Sequence, residues 1–272
     1  MKTTISSFSM VFLSCLFIMV MTADNDLFAS SPAPGSLTVK KCSDFKVTGD
    51  GTSAEWENTD WHFVTQQDND PVLYSTKVKV LYSQAGIYFL FNCVDKKLTA
   101  ALMGDFLDLY NEDVVEVFLW PDESFPVYFE YEVSPLNYEL PIIIPNYKGT
   151  FFGWRPWHYE GERMTQHATS AIGGQKVSGG AVSGWIAEFF IPFKLLVPLN
   201  NVPPVSGTKW RANMYRIDYD NGPKYFAWQK IDKGFHEYNH FGTFIFRQAK
   251  VSTSEGLLKR RMKNLKPCLP MQ

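Results

Sequence analysis

The chain has few residues suited to redox or metal chemistry. Of its 272 residues, 4 are cysteine and 5 are histidine. No C-x-x-C pair occurs, and no Cys/His cluster has zinc-ligand spacing. Cys15 lies in the N-terminal apolar run. That leaves Cys42, Cys93 and Cys268, an odd set that does not describe a disulfide framework. Cys93 sits in IYFLFNCV and reads as a buried thiol. A phosphate loop is missing: Gly173-Gly174 and Gly179-Gly180 mark turns, with no G-x-x-x-x-G-K-[ST] pattern. Neither sign of charge dominates. A net charge of -2 gives no reason to expect nucleic acid or an anionic membrane as partner. No internal repeat is visible. The N-terminal apolar run, densest at residues 10–21, is too short to cross a bilayer comfortably.

That run follows Lys2 and ends at Met21-Thr22-Ala23, an imperfect small-residue cleavage site. Residues 1–23 are therefore expected to be a signal peptide, which implies a secreted or periplasmic protein with no stable membrane span. Leu13-Ser14-Cys15 is the weaker lipoprotein alternative, because residues 16–21 stay apolar. Residues 24–36 read as a Pro/Ser/Ala-rich linker and residues 248–272 as a peripheral basic tail.

Aromatic residues are abundant at 16%, more than a core of this size needs. Surplus Trp and Tyr suit sugar faces and interfaces, since each ring offers flat apolar area with a polar edge. The chain is organised around residues 110–137, YNEDVVEVFLWPDESFPVYFEYEVSPLN. Val115, Val117 and Leu119 alternate with Val114, Glu116 and Phe118. Val127, Phe129, Tyr131 and Val133 alternate with Tyr128, Glu130 and Glu132. This period-two pattern predicts two strands, joined by a turn around Pro121, Asp122 and Pro126. Glutamate is disfavoured in strands. Glu116, Glu130 and Glu132 are thus either a solvated outer face or the polar floor of a cleft walled by Tyr110 and Trp120.

Other segments read in the same way. Residues 76–94 predict a hairpin whose return strand, almost wholly apolar, is covered on both faces. Gly49-Asp50-Gly51 with Trp56 reads as a turn leading to an aromatic anchor. Residues 184–192 and 208–219 predict further strands. The second carries Arg211, Asn213 and Tyr215 on one face, and Trp210, Met214, Arg216 and Asp218 on the other. Asn221-Gly222 is a hairpin turn signal. Residues 138–180 read as irregular and hold the aromatic group Trp154, Trp157 and Tyr159 with Arg155 and His158. The whole predicts an all-β domain, an antiparallel β-sandwich of two packed sheets in the jelly-roll or immunoglobulin-like style, with long loops.

Taken in order, seven pieces resemble a family 9 carbohydrate-binding module of the bacterial, secreted kind. They are Asp50-Gly51 with Trp56, TKVKVLYSQAGIYFLFNCVD, YNEDVVEVFLWPD, YFEYEVSPLN, GWIAEFFIPF, WRANMYRID and FHEYNHFGTFIF, across residues 37–247. The resemblance implies a β-sandwich that holds a sugar between two aromatic rings, with charged groups on its hydroxyls. In some members it also implies structural calcium. The family's first aromatic falls at Tyr110 and its sugar-binding acidic residue at Glu116. A polar position that is often Arg in the family falls at Glu132, a departure. The second aromatic, ahead of the last Phe-Gly, falls at Phe235 with His236, where Trp is absent. Trp228 and Trp157 are the substitutes.

Asn213 and Arg216 complete the polar set, because amide and guanidinium groups suit vicinal hydroxyl pairs. Arg216 is the expected partner of Glu116 and Glu132. The implied function is non-catalytic recognition of a mono-, oligo- or polysaccharide in carbohydrate catabolism, with a polysaccharide-degrading enzyme as a further partner. Two alternatives stand beside it. One is a glycoside hydrolase or its accessory subunit, using two of Glu116, Glu130, Glu132 and Glu188 as acid and base. The other is a haem-binding electron-transfer sandwich with ligands from Met103, Met214, His236 and His240, though C-x-x-C-H is absent.

Overall fold

The computed structural model describes residues 34–68, 74–148 and 150–248. The expected signal peptide, residues 24–33 of the linker, nearly all of the basic tail and Cys268 lie outside the described residues. Alternating apolar residues form fourteen strands among those described: β1 (Ser36–Lys41), β2 (His62–Gln66), β3 (Thr76–Tyr82), β4 (Gly86–Val94), β5 (Val114–Trp120), β6 (Val127–Val133), β7 (Glu139–Tyr147), β8 (Thr150–Phe151), β9 (Arg155–Pro156), β10 (Gln166–Ile172), β11 (Gly184–Pro192), β12 (Lys209–Asp218), β13 (Lys224–Ala227) and β14 (Gly242–Arg247). The α-helix α1 (Phe193–Leu196) is a single turn. Among the described residues, no helix is long and apolar enough to cross a membrane.

Hydrogen bonding runs in the order β10-β11-β4-β3-β1-β14-β12-β5-β6-β7-β8, and β2 and β13 also link β3 to β12. Neighbouring strands are antiparallel except at β1, which runs parallel to both β14 and β3. The ribbon folds over into a β-sandwich. Val80, Phe89, Phe91 and Phe189 from β3, β4 and β11 share one buried cluster with Val115, Val117, Phe129 and Met214 from β5, β6 and β12. Every one of those side chains is fully buried. Residues of opposite parity point out of the sandwich, and loops cover both outer faces. Over β3, β4 and β11 lies a cluster of Val47, Trp56, Leu81, Tyr88, Leu90 and Phe190. Over β5, β6, β7 and β12 lies a second, with Phe118, Tyr128, Leu140, Ile142, Tyr215 and Phe241.

The first cover explains the Gly49–Gly51 turn. Gly49 has φ of +82°, and an added Cβ would sit 2.7 Å from the backbone of Ala168, so glycine is required there. Glu188 on β11 holds the loop. Its carboxylate accepts from the N–H of Thr48 (2.8 Å) and of Gly49 (2.7 Å), and from the indole N–H of Trp56 (2.8 Å). Charge-assisted bonds to backbone N–H groups are among the stronger ones in proteins. Glu188 is therefore an anchor for the N-terminal loop, on the opposite sheet from Glu116, Glu130 and Glu132.

β7 replaces the irregular structure expected after residue 138. Its sequence, ELPIIIPNY, contains two prolines, which argue against a strand. Both are tolerated because they face the edge. The Pro141 carbonyl accepts from Trp157 and the Pro145 carbonyl from Phe152, in the short connections that pair beyond β7. The final stretch is also less regular than its aromatic run predicts. Strand structure begins only at Gly242, after a 3₁₀ turn at Tyr238–His240.

Candidate functional site

Three carboxyl groups lie on the outer face of one sheet, beneath aromatic side chains. Val115 and Val117 face the sandwich interior, so Glu116 faces outward. The β5–β6 register sets Glu116 directly opposite Glu132 and Phe118 opposite Glu130. The three glutamates are 2%, 0% and 4% exposed for Glu116, Glu132 and Glu130 respectively, so they are not a solvated face. The floor around them is Phe118, Tyr128, Tyr215 and Leu140.

Most of their oxygens make no hydrogen bond within the protein, although the Glu130 and Glu132 carboxyl groups act on one another. Oε1 of Glu116, Oε2 of Glu130 and both oxygens of Glu132 are buried without a hydrogen bond. Each such atom costs about 1–3 kcal/mol relative to a satisfied one. Burial pushes Glu116 and Glu132 well above the usual carboxylate range, and the neighbouring carboxyl charges push in the same direction. Glu130 is raised by burial to about 8. The nearest imidazole, on His236, has Nδ1 4.0 Å from Glu130 and 2.8 Å from the Tyr128 hydroxyl. Burial lowers its own pKa to about 4, so at neutral pH it is an uncharged ring.

Aromatic rings stand around this floor. Tyr110 and Trp154 pack against it from one side, and Asp108 and Trp154 lie beside the Tyr110 hydroxyl. Tyr219 donates its hydroxyl to the Tyr110 carbonyl (2.9 Å), which fixes the 3₁₀ turn that presents Tyr110. Phe235 enters from the connection before β14. Its ring stacks on Tyr215 at 4.0 Å and 10°, and its carbonyl accepts from the Tyr215 hydroxyl (2.9 Å). His236 is sandwiched between Phe118 and Phe151, with centroids at 5.3 and 4.3 Å. Tyr110, Glu116, Glu132, Phe235 and His236 thus share one face with Glu130 and Trp154.

Of the other expected site residues, Arg216, Trp157 and Trp228 lie elsewhere, whereas Asn213 and Trp120 share the outer face but are engaged in structure. Arg216 does not pair with Glu116 or Glu132. It sits opposite Val115 in the β5–β12 register and so points into the sandwich. There its guanidinium bonds to Asp95 (2.9 Å), Asp218 (2.5 Å), the Thr76 hydroxyl (3.1 Å) and the Val94 carbonyl (2.8 Å). Asn213 has the outward parity, but its amide is engaged in structure. Oδ1 accepts from the N–H of Met214 and Gln229, and Nδ2 donates to the Gln229 carbonyl. Trp157 packs on the interior cluster and donates its indole N–H to the Leu195 carbonyl (3.2 Å). Trp228 packs on the same cluster, 5.6 Å from Phe244. Trp120, read as a wall, packs edge-on to Tyr238 and is 7% exposed.

One group could hold a metal among the described residues: Asp95, Asp218 and Asp220. Its donors do not fit a calcium cage, because partners in the chain already use them. Arg216 bridges Asp95 and Asp218, Trp185 donates to Asp95, and Asp220 accepts from Tyr74 and Thr99. The group is an arginine-centred ion network. The haem candidates are likewise dispersed: Met214 is inside the sandwich, Met103 is 69% exposed, and His236 lies on the outer face. His240 is tied to the Lys230 carbonyl and to Asp232.

No family model and no curated protein matches the chain. Solved structures do. A protein from Bacteroides uniformis, described as a candidate carbohydrate-binding protein, superposes with a TM-score of 0.62 at 17% identity, over 78% of this chain and 99% of that one. The family 9 carbohydrate-binding module of Caldicellulosiruptor kristjanssonii in complex with cellotriose gives 0.55 at 15% identity, over 86% and 100%. This chain has the family 9 fold. A family 9 module from the same organism in complex with glucose gives 0.55 at 16% identity, over 80% and 99%. At such identity the likeness concerns the fold, so the chemistry of this family 9 fold rests on its own residues.

Proposed function

We propose that the protein binds carbohydrate without cleaving it, on the face formed by Glu116, Glu130 and Glu132 between the rings of Tyr110 and Phe235. The observation that carries this reading is the set of buried carboxyl oxygens that make no hydrogen bond in the chain, roofed by aromatic rings. Sugar C–H faces lie on such rings, and sugar hydroxyls are donors that satisfy such oxygens. The structurally similar family 9 modules, one bound to cellotriose and one to glucose, support the same reading. Trp154 takes the part first assigned to Trp157. The signal peptide expected at residues 1–23 places this activity outside the cytoplasm, where a polysaccharide-degrading enzyme is the natural partner.

Isothermal titration of the mature chain against mono- and oligosaccharides tests the reading. Tyr110→Ala and Glu116→Ala should each weaken binding by about ten- to a hundredfold, or roughly 1–3 kcal/mol. Val117→Ala, which opens a gap in the interior, should lower the melting temperature and leave the affinity of the folded protein intact. Equal binding by wild type and both site variants would place the site elsewhere. One observation favours a second reading: a pKa of about 8 would let Glu130 serve as the general acid of a hydrolase. Release of reducing sugar from the same oligosaccharides would show that activity.

A further inference from the structure

The connection between β4 and β5, with Ser178 and Gly179, lines a cavity that does not include the three glutamates. Its volume is about 710 Å³, and its lining includes Lys97, Leu102, Phe106, Asp108, Asn111 and Glu112. Small-molecule sites typically occupy about 300–1,000 Å³. Three features point to a ligand. Glu112 is 5% exposed, and its Oε2 is fixed by the N–H groups of Ala101 (2.6 Å) and Leu102 (2.8 Å). Its other oxygen, Oε1, is buried without any hydrogen bond. Phe106 is held at φ of +62°, a conformation that bulky side chains avoid. Its N–H bonds to the Glu139 carbonyl (2.9 Å), and its ring stacks on His158 at 4.3 Å. Backbone strain of this kind persists where the surroundings impose it, often beside a ligand. Finally, Asp108 lines the cavity and also lies beside the Tyr110 hydroxyl, so the two sites share a wall.

We propose that this cavity is a second saccharide subsite, which receives a further ring of an oligosaccharide whose first ring sits against Tyr110. The inference rests on the reading of the Tyr110 face as a sugar site. The lining chemistry selects the ligand class. Asp108 and Glu112 accept from hydroxyls, Asn111 both donates and accepts, Lys97 donates, and Leu102 and Phe106 offer apolar surface. An anionic ligand would face two carboxylates against one ammonium, which argues against phosphate.

The test compares chain lengths by isothermal titration, using monosaccharides and matched trisaccharides of the β-glucan, xylan and mannan series. Wild type should bind the matching trisaccharide about tenfold or more tightly than the monosaccharide. Glu112→Gln and Asn111→Ala should lose that gain and keep the monosaccharide affinity. Asn111 is exposed, so its variant remains informative if Glu112→Gln disturbs the loop. Monosaccharide binding with no gain for the trisaccharide would overturn the second subsite and leave the first intact. A gain that survives in a folded Glu112→Gln and in Asn111→Ala would overturn it as well. No binding of any sugar by wild type would overturn both.

Discussion

Replacing Glu130 with glutamine should stabilise the ligand-free protein, and the gain should grow with pH. The Glu130 carboxyl is buried, and burial raises its pKa from 4.5 to about 8. In this interval the folded state holds a proton that the unfolded chain releases. Stability from this group is therefore fully present below the ordinary value and is lost as pH rises toward 8. Between about pH 5 and pH 7.5 the loss is roughly 3 kcal/mol, at about 1.4 kcal/mol per pH unit. Glutamine keeps the shape and does not titrate. For a chain of this size each kcal/mol corresponds to about 2–4 °C, so the variant should gain about 6–12 °C over wild type across that interval. The groups facing Glu130 do not reverse the sign. His236 is already neutral above about 4, and Glu116 and Glu132 titrate in the same direction and remain in the variant. Scanning calorimetry of both proteins at several pH values, without sugar, measures the difference. A difference in melting temperature that is flat from pH 5 to 7.5, or a variant less stable at the upper end, would refute the reasoning.

Three further outcomes are expected. Trp154→Ala should weaken sugar binding with little change in melting temperature, whereas Trp157→Ala should do the reverse; titration and calorimetry on both variants separate them. Arg216→Met should cost about 3–5 kcal/mol in urea unfolding, because it leaves Asp95 and Asp218 buried without their cation. Glu188→Ala should free the loop that carries Thr48, Gly49 and Trp56, seen as faster proteolysis near residue 50 and a shifted Trp56 emission, with sugar affinity unchanged.

The parts of this fold that could be read from sequence are local. The hairpins over residues 76–94 and 114–133 have period-two alternation and turn residues within a few positions, so pattern and pairing coincide. The outward direction of Glu116 followed from Val115 and Val117 in the same way. Glu130 has the same parity as Glu132 and belonged in the site on that ground alone. The rest depends on pairing between distant strands. On β12 the two faces were separated correctly, with Arg216 opposite to Asn213 and Tyr215. The apolar Trp210, Ala212 and Met214 on the Arg216 face mark it as the inward one, and what the local pattern does not show is the distant Asp95 and Thr76 that receive the guanidinium there. Trp154 and Trp157 sit in one aromatic loop, and contacts with the distant Pro141 and Leu195 hold Trp157 on the interior cluster while Trp154 packs on the outer one. β7 was hidden because its prolines are harmless only at a sheet edge, a property of the assembled sheet.

The position of β1 has a consequence for how the molecule is made. This strand is the first one described, and it lies between β3 and β14, the last one. During synthesis the N-terminal strand emerges early, yet its parallel partner at residues 242–247 is among the last to appear. The seam between the two halves of the sandwich therefore stays open until nearly the whole domain has been made. Contacts so distant along the chain are slow to form and leave strand edges exposed meanwhile. A nascent chain of this topology cannot complete its sheet until residues 242–247 are available to β1.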